Sequence, residues 1–226
     1  MKLLIVGCEY AGTTTLAHAI DDWMAEAMGS RMRLIHDHWK IPYTVGHPAN
    51  VSEEEEQQFL ALSPWLKDNV QRHNLYYHAP RQSSSGDSSD KMVIGMHVDD
   101  AIYGPHYFGY GGPGEQFDRR DVSRKIEHLI VTFEPETVLV LVKASPEVIA
   151  RRMEENPHRN GVLREGDVEF ILRRFEEEYE ASQIANKITL DTSDSTAEST
   201  VAEFVRKMEP YFTAADRLRM ISRRLP

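Results

Sequence analysis

The chain contains five short, largely apolar runs, at residues 3–6, 32–35, 92–96, 137–142 and 187–190. Runs of this length are typical of strands buried in a parallel sheet, whereas helices need longer periodic segments. The pattern therefore predicts five strands, with the polar residues 97–100 closing the third.

The segments between these runs carry apolar residues at helical spacing together with helix start signals. Leu16, Ile20 and Met24 follow a helical period, and Gly29 ends the helix that they predict. Residues 195–198 predict a capping box at the start of a late helix. Strands that alternate with helices predict an α/β fold, with three layers in the order α/β/α around a five-stranded parallel sheet.

Length and composition restrict the classes of function. The 226 residues suit one elaborated domain, so we expect a single domain over residues 1–226, with a flexible serine-rich loop at about residues 81–90. The formal net charge of −10 argues against binding to nucleic acid polymers or to an anionic membrane. The single cysteine, Cys8, excludes an intrachain disulfide. The apolar stretch before it is shorter than a secretory signal, so we expect a cytoplasmic protein.

The most informative stretch is the turn between the first predicted strand and the first predicted helix. It matches the phosphate-binding pattern G-x-x-x-x-G-K-[ST] at Gly7, Gly12 and Thr14, whereas Thr13 occupies the lysine position. Glycines let backbone N–H groups converge on a phosphate, and the following helix adds partial positive charge at its N-terminus. We therefore expect the loop to bind the phosphates of ATP, with the Thr14 hydroxyl on Mg²⁺. The predicted ATP contacts in this loop are Gly7, Tyr10, Ala11, Gly12, Thr13, Thr14 and Thr15.

Acidic and aromatic residues follow the second and third predicted strands, at the sheet edge where ligands of parallel α/β folds bind. Asp37 is the candidate to accept a proton from an acceptor hydroxyl, and Trp39 to stack on the acceptor or close its pocket. Asp99 or Asp100 is placed to bind Mg²⁺, directly or through water, beside Thr14. Phosphoryl transfer also needs positive charge on the transferring group, which the loop lacks.

A polar segment at about residues 151–167 contains arginines that can supply this charge, and we expect it to form a lid. Arginine suits phosphate because its planar fork donates two hydrogen bonds at once. A closing lid also excludes water and so limits wasteful hydrolysis of ATP. We predict that Arg151 and Arg159 act in catalysis and that Arg152 binds ATP.

The phosphate loop, the strand-end acids and the arginine-bearing lid together resemble the P-loop nucleoside and nucleotide kinase superfamily, in particular deoxynucleoside and thymidylate kinases. Residues 37–39 are similar to the Glu-Pro-x-x-x-Trp region of deoxynucleoside kinases, at a shorter spacing. Asp99 stands where that family has the acid of Glu-Arg-Ser, and Asp100 replaces the arginine. Residues 141–147 resemble the passage from a strand into the lid helix.

The resemblance implies further site residues. Asp191 and Thr192 lie in a loop similar to the one that contacts adenine. In that family the helix between the second and third strands binds the acceptor, which makes Gln71 and Arg72 candidate acceptor contacts and Trp65 a candidate pocket wall. Asp100, at the arginine position, is a further candidate acceptor contact. The implied fold is a P-loop kinase fold with a helical lid, and the implied ligands are ATP, Mg²⁺ and a small-molecule acceptor.

Three functions are open at this point. The first is an ATP-dependent phosphotransferase, or kinase, of a nucleoside, a nucleotide or a related small molecule. The second is a nucleotide-binding protein with weak or no transfer activity, because two cations of the family pattern are missing. The third is a metal-dependent hydrolase, because His36, His38 and His97 accompany the strand-end acids. The sequence leaves open which acceptor is used and whether the chain works alone or as a homodimer.

Overall fold

One parallel sheet organises the protein. The structure, a computed structural model, describes residues 1–37, 39–45, 50–82 and 89–224. Its sheet has five strands in the order β2-β3-β1-β4-β5, which confirms the predicted α/β class and the predicted parallel sheet. The strands are β1 (Lys2–Val6), β2 (Leu34–His36), β3 (Lys91–Ile94), β4 (Val138–Lys143) and β5 (Lys187–Asp191). Most of the predicted serine-rich loop, residues 83–88, lies outside the described residues.

Helices cover both faces of the sheet. Within the described residues they are α1 (Thr13–Met28), α2 (Glu53–Ala61), α3 (Pro64–His78), α4 (Met96–Tyr103), α5 (Arg119–Phe133), α6 (Pro146–Glu155), α7 (Val168–Ala181), α8 (Ala197–Met208) and α9 (Ala214–Arg224). One layer packs α1 against α8 and α9, and the other packs α4 against α5 and α7. None of the helices described combines the length and the apolar character that a membrane crossing requires.

The register of the central strand brings the carboxyl ends of the strands to one edge. All five residues of β1 are buried: residues 3–6 form the predicted apolar run, and the Lys2 ammonium pairs with Glu134 and Glu136. Ile5 lies beside Ile94, the last residue of β3, and Val6 lies beside Leu141, two residues before the end of β4. The segments that follow them therefore meet at this edge of the sheet.

The segment after β3 differs from its prediction. The strand ends at Ile94, and Gly95, at φ +82°, turns the chain directly into α4. Residues 97–100 are therefore helical rather than a strand end, and Asp99 and Asp100 are both buried. The Asp99 carboxyl group packs directly against Gly95, since a Cβ atom on Gly95 would lie only 2.5 Å from it. This packing accompanies the early turn of the chain into α4. The late capping prediction was also wrong by one residue, since Thr196 rather than residue 195 caps α8.

A buried ion network joins three helices on one side of the sheet. Arg119 of α5 is completely buried and lies 2.7 Å from Asp68 of α3 and 2.9 Å from Asp100 of α4. The Tyr110 hydroxyl donates to the other oxygen of Asp100 at 2.9 Å. Asp100 was predicted to contact the acceptor, and the structure instead places its carboxylate against this internal arginine.

Replacing Arg119 by methionine is expected to destabilise the protein strongly. Two carboxylates would remain buried without their cation, which costs on the order of 3–5 kcal/mol of unfolding free energy. Urea denaturation followed by circular dichroism measures this loss. Arg173→Met is the matched control, because Arg173 lies on α7 with its side chain 61% exposed and pairs with Glu177, which is also exposed. Equal losses for the two variants would contradict the assigned role of the buried network.

Candidate functional site

The loop between β1 and α1 has the geometry that a phosphate site requires. Gly7 runs so close to β4 that an added Cβ atom would lie 2.5 Å from the carbonyl oxygen of Val142. Gly12 has a φ of +93° and precedes the first turn of α1, which no side chain caps. The first N–H groups of α1 are therefore left without the usual capping partner, and such a terminus attracts anions.

A cavity of about 500 Å³ opens beside this loop. Its lining includes most of the loop residues predicted to contact ATP and, from outside the loop, two predicted ATP contacts. These lining residues are Tyr10, Gly12, Thr13, Thr14, Thr15, Arg152 and Thr192. The structure thus brings together predicted residues that are up to 182 positions apart in the numbering of the chain, Tyr10 and Thr192.

The predicted metal and base residues gather near the start of α1. The Thr14 hydroxyl donates to Asp37 at 2.8 Å, which joins the loop to the end of β2. Burial, together with the charges of Asp37 and Glu9, raises the pKa of Asp99 to about 7, and the nearby Lys40 ammonium opposes this rise. The acids that follow β2 and β3 therefore share one electrostatic environment.

Lys40 is a site residue that the sequence analysis missed. It lies three positions after Asp37 and is the only lysine lining the cavity within the described residues. Its ammonium stands 3.9 Å from Glu9 and 5.6 Å from the centre of the Tyr103 ring. Burial alone would lower the pKa of Lys40, but the charges of Glu9, Asp99 and Asp37 outweigh it and raise this pKa, so the side chain stays positively charged. No sequence motif identifies this lysine, because only the folding of the chain brings it close to the loop between β1 and α1.

Arg152 braces the loop against β5. Its guanidinium donates to the carbonyl of Tyr10 at 2.9 Å and to the carbonyl and the hydroxyl of Thr192 at 2.8 and 3.1 Å. The Thr192 hydroxyl in turn donates to the carbonyl of Ala11 at 2.7 Å. Arg152 and Thr192, which were predicted to contact ATP, therefore both bind the loop backbone and support its shape.

Glu9, inside the loop, was also missed, and it joins the loop to the segment between α6 and α7. We call residues 156–167 the α6–α7 connection; it contains most of the predicted lid. The Glu9 carboxylate is 5% exposed and accepts the N–H groups of Val162 and Leu163 at 3.0 and 2.9 Å. His158 stacks on the Tyr10 ring at 4.0 Å. The loop and the α6–α7 connection are thus packed as one unit.

Three of the residues predicted for the lid and for the adenine loop lie away from the cavity. Arg151 is exposed on α6, one position before the inward-pointing arginine of that helix. Arg159 pairs with Glu56 of α2 at 3.0 Å, which ties the α6–α7 connection to that helix. Asp191 accepts the N–H of Ser193 at 2.9 Å and does not line the cavity. The structure does not bring these three side chains to the loop.

The predicted acceptor contacts are distributed between core and surface. Trp39 is 2% exposed, and its carbonyl accepts a hydrogen bond from the buried Gln71 side chain. Arg72 donates to Asp68 at 3.1 Å, so its charge is already partnered. Trp65 is 66% exposed on the outer face of α3. None of these side chains lines the cavity beside the loop.

Two of the histidines proposed for a hydrolase metal site, His36 and His97, contact other side chains. His97 is buried and faces Glu127 at 3.4 Å, and the His36 ring packs against Trp39. Among the residues described, no group of three or more histidine, cysteine, aspartate or glutamate side chains is arranged to hold a metal ion. His38 lies outside the described residues. The described residues therefore offer no support for the hydrolase alternative.

Solved structures share this fold, although no family model and no curated protein matches the sequence. The YorR protein of Bacillus subtilis, solved in complex with phosphorylated GDP, is 13% identical with a TM-score of 0.57 over 94% of this chain and 99% of that chain. A deoxyadenosine kinase from M. mycoides with bound dCTP is 13% identical with a TM-score of 0.57, over 93% and 100%. A thymidylate kinase from Candida albicans is 11% identical with a TM-score of 0.54, over 92% and 91%. The chain has the P-loop kinase fold that the sequence resemblance implied.

Replacing Glu9 by glutamine should destabilise the protein in a pH-dependent way. Burial opposes ionisation of Glu9, but the His158 side chain, the Lys40 ammonium and the Leu163 amide outweigh it and lower the pKa of Glu9 from its ordinary value of 4.5 to about 2. A lowered native pKa means that ionised Glu9 stabilises the fold, by about 3 kcal/mol at neutral pH. This contribution is complete above about pH 4.5 and is lost as the pH falls toward 2.

Urea denaturation of the wild type and of Glu9→Gln at pH 7, 4 and 3 measures the effect. The difference in unfolding free energy between the two proteins should become smaller at each lower pH. Glu154→Gln, on the exposed surface of α6, is the control and should show no such trend. A constant difference across the three pH values would show that Glu9 does not act through its charge.

Proposed function

We propose that this protein is an ATP-dependent phosphotransferase that acts on a nucleoside, a nucleotide or a related small molecule. The observation that carries the proposal is the uncapped N-terminus of α1, which opens on the cavity beside the Thr14–Asp37 contact. Backbone N–H groups there can hold phosphates, and an acid lies within one hydrogen bond of the loop hydroxyl. The P-loop kinase fold supports the same reaction class.

Oxygen donors around the loop fit Mg²⁺. Thr14 offers a hydroxyl, and one buried oxygen of Asp99 has no hydrogen-bond partner among the described residues. Mg²⁺ takes oxygen ligands and is commonly held by one or two protein groups together with substrate phosphates. We therefore assign Thr14 and Asp99 to the ion, which when bound neutralises charge on the phosphates.

Asp37 is the carboxylate best placed to serve the acceptor. Unlike the buried Asp99, it is exposed at the end of β2 and can be reached from solvent. A hydroxyl that attacks a phosphate must lose its proton, and a carboxylate within hydrogen-bond distance can accept it. Asp37 thus orients the acceptor hydroxyl and takes its proton, while the loop holds the donor phosphates.

The local charges favour an acceptor that presents a neutral hydroxyl over one that already carries a phosphate. The charges of Asp37 and Glu9 add to burial in raising the pKa of Asp99, so negative charge is concentrated here. Arg72 and Arg159, which lie outside the cavity, are each paired with a carboxylate. A phosphate-bearing acceptor would have to displace one of these pairs, so we place nucleosides ahead of nucleoside monophosphates.

The second candidate, a nucleotide-binding protein with little or no transfer, rests on Thr13. The loop lysine of related folds supplies charge to the β- and γ-phosphates, and its loss removes transition-state stabilisation. An ADP-release assay over a panel of nucleosides and nucleoside monophosphates, combined with calorimetry of ATP binding, separates the two candidates. Turnover with any acceptor supports the kinase, whereas ATP binding without turnover supports the second candidate. The absence of both would refute the two together.

The Asp37→Asn variant tests the proposed base. We expect kcat to fall by about 10²–10⁴-fold with ATP affinity nearly unchanged, because only proton acceptance is lost. Steady-state kinetics at several Mg²⁺ concentrations measure the change. If higher Mg²⁺ restores the rate, Asp37 acts on the ion rather than on the acceptor. Asp121→Asn, an exposed acid on α5, is the control and should behave as the wild type.

A further inference from the structure

The loop has no cation of its own. Thr13 occupies the position that a lysine takes in the phosphate-binding pattern, and its side chain lies beside Gly7 at the base of the loop. A threonine hydroxyl cannot supply the point charge that a lysine offers to the β- and γ-phosphates. If the cavity binds ATP, a positive charge must come from another part of the chain.

Arg152 is the first alternative, but its guanidinium is already committed. It donates to the Tyr10 carbonyl and to both oxygens of Thr192, at 2.8 to 3.1 Å. Turning this side chain toward a phosphate would give up contacts that hold the loop in place. Arg152 therefore supports the loop and is not free to follow a transferring phosphoryl group.

Lys40 has the properties that Arg152 lacks. Its side chain is 30% exposed and lines the cavity together with Gly12, Thr13 and Thr14. The nearest oxygen in an ion pair with it belongs to Glu9, at 3.9 Å, which is beyond hydrogen-bond distance. Among the described residues, the ammonium is therefore attracted by neighbouring charges but is not hydrogen-bonded to an acidic partner. Surrounding carboxylates also raise its pKa, so it remains protonated.

We propose that Lys40, in the segment that follows β2, supplies to the phosphates of the bound nucleotide the positive charge that the loop lysine supplies in related folds. This inference rests on the proposed function, since it requires a nucleotide in the cavity. It assigns the missing charge to a residue 27 positions after Thr13, outside the phosphate-binding pattern. Asp37, the proposed base, is among the carboxylates whose charge acts on Lys40.

The test compares Lys40→Met with the wild type by calorimetry of ATP, ADP and AMP binding in Mg²⁺, and by ADP release. We expect ATP affinity to fall at least about tenfold, AMP affinity to change little, and turnover to fall by about 10²–10³-fold. Lys125→Met, an exposed lysine on α5 outside the cavity, should match the wild type. Circular dichroism confirms that each variant is folded.

Two further variants keep the proposal falsifiable. Lys40→Arg should retain part of the ATP affinity, because it keeps the charge. Thr13→Lys added to Lys40→Met should restore part of the loss, because it returns a lysine to the loop. Unchanged ATP binding and turnover in Lys40→Met, with an active wild type, would overturn this inference and leave the proposed function intact. A wild type that binds neither ATP nor ADP would overturn both.

Discussion

The buried carboxylate of Glu9 holds the candidate site together. A charged group that is 5% exposed must be compensated by hydrogen bonds and opposite charge, since its desolvation is costly. Glu9 finds this compensation in the amides of Val162 and Leu163 and in Lys40. Its partners come from the α6–α7 connection and from the segment that follows β2, while Glu9 itself lies in the loop. The position of each of these three segments is therefore tied to the other two through one carboxylate.

Two cations expected from the kinase resemblance are missing from their places in the sequence, and the structure holds a cation near each. Arg119 lies against Asp100, and Lys40 lies beside the loop that carries Thr13. The two cations have different surroundings, which indicates different roles. Arg119 is completely buried between two carboxylates, so its charge is used internally. Lys40 is partly exposed to the cavity, which leaves its charge available to a ligand.

The arginines of the predicted lid also differ in their surroundings, and the reason is the geometry of the helix. Neighbouring residues on a helix point about 100° apart, so one can face the loop while the next faces solvent. Arg152 braces the loop, whereas Arg151 extends outward on α6. Arg159 lies beyond the helix, where the chain direction brings it to the carboxylate of Glu56. Composition identifies a basic segment, but helix rotation decides which of its cations meets the cavity.

The sequence by itself determined the five strands, the α/β class and the glycine-bounded loop between β1 and α1, because apolar periodicity, helix caps and glycine geometry act over a few neighbouring residues. It misplaced the acids after β3, since the turn at Gly95 depends on the packing of Asp99 against it. Glu9 and Lys40 also escaped detection, because their significance arises only when distant segments meet. The tertiary structure decided which polar side chains share a cavity, because strand register and helix rotation set distances that sequence spacing does not encode.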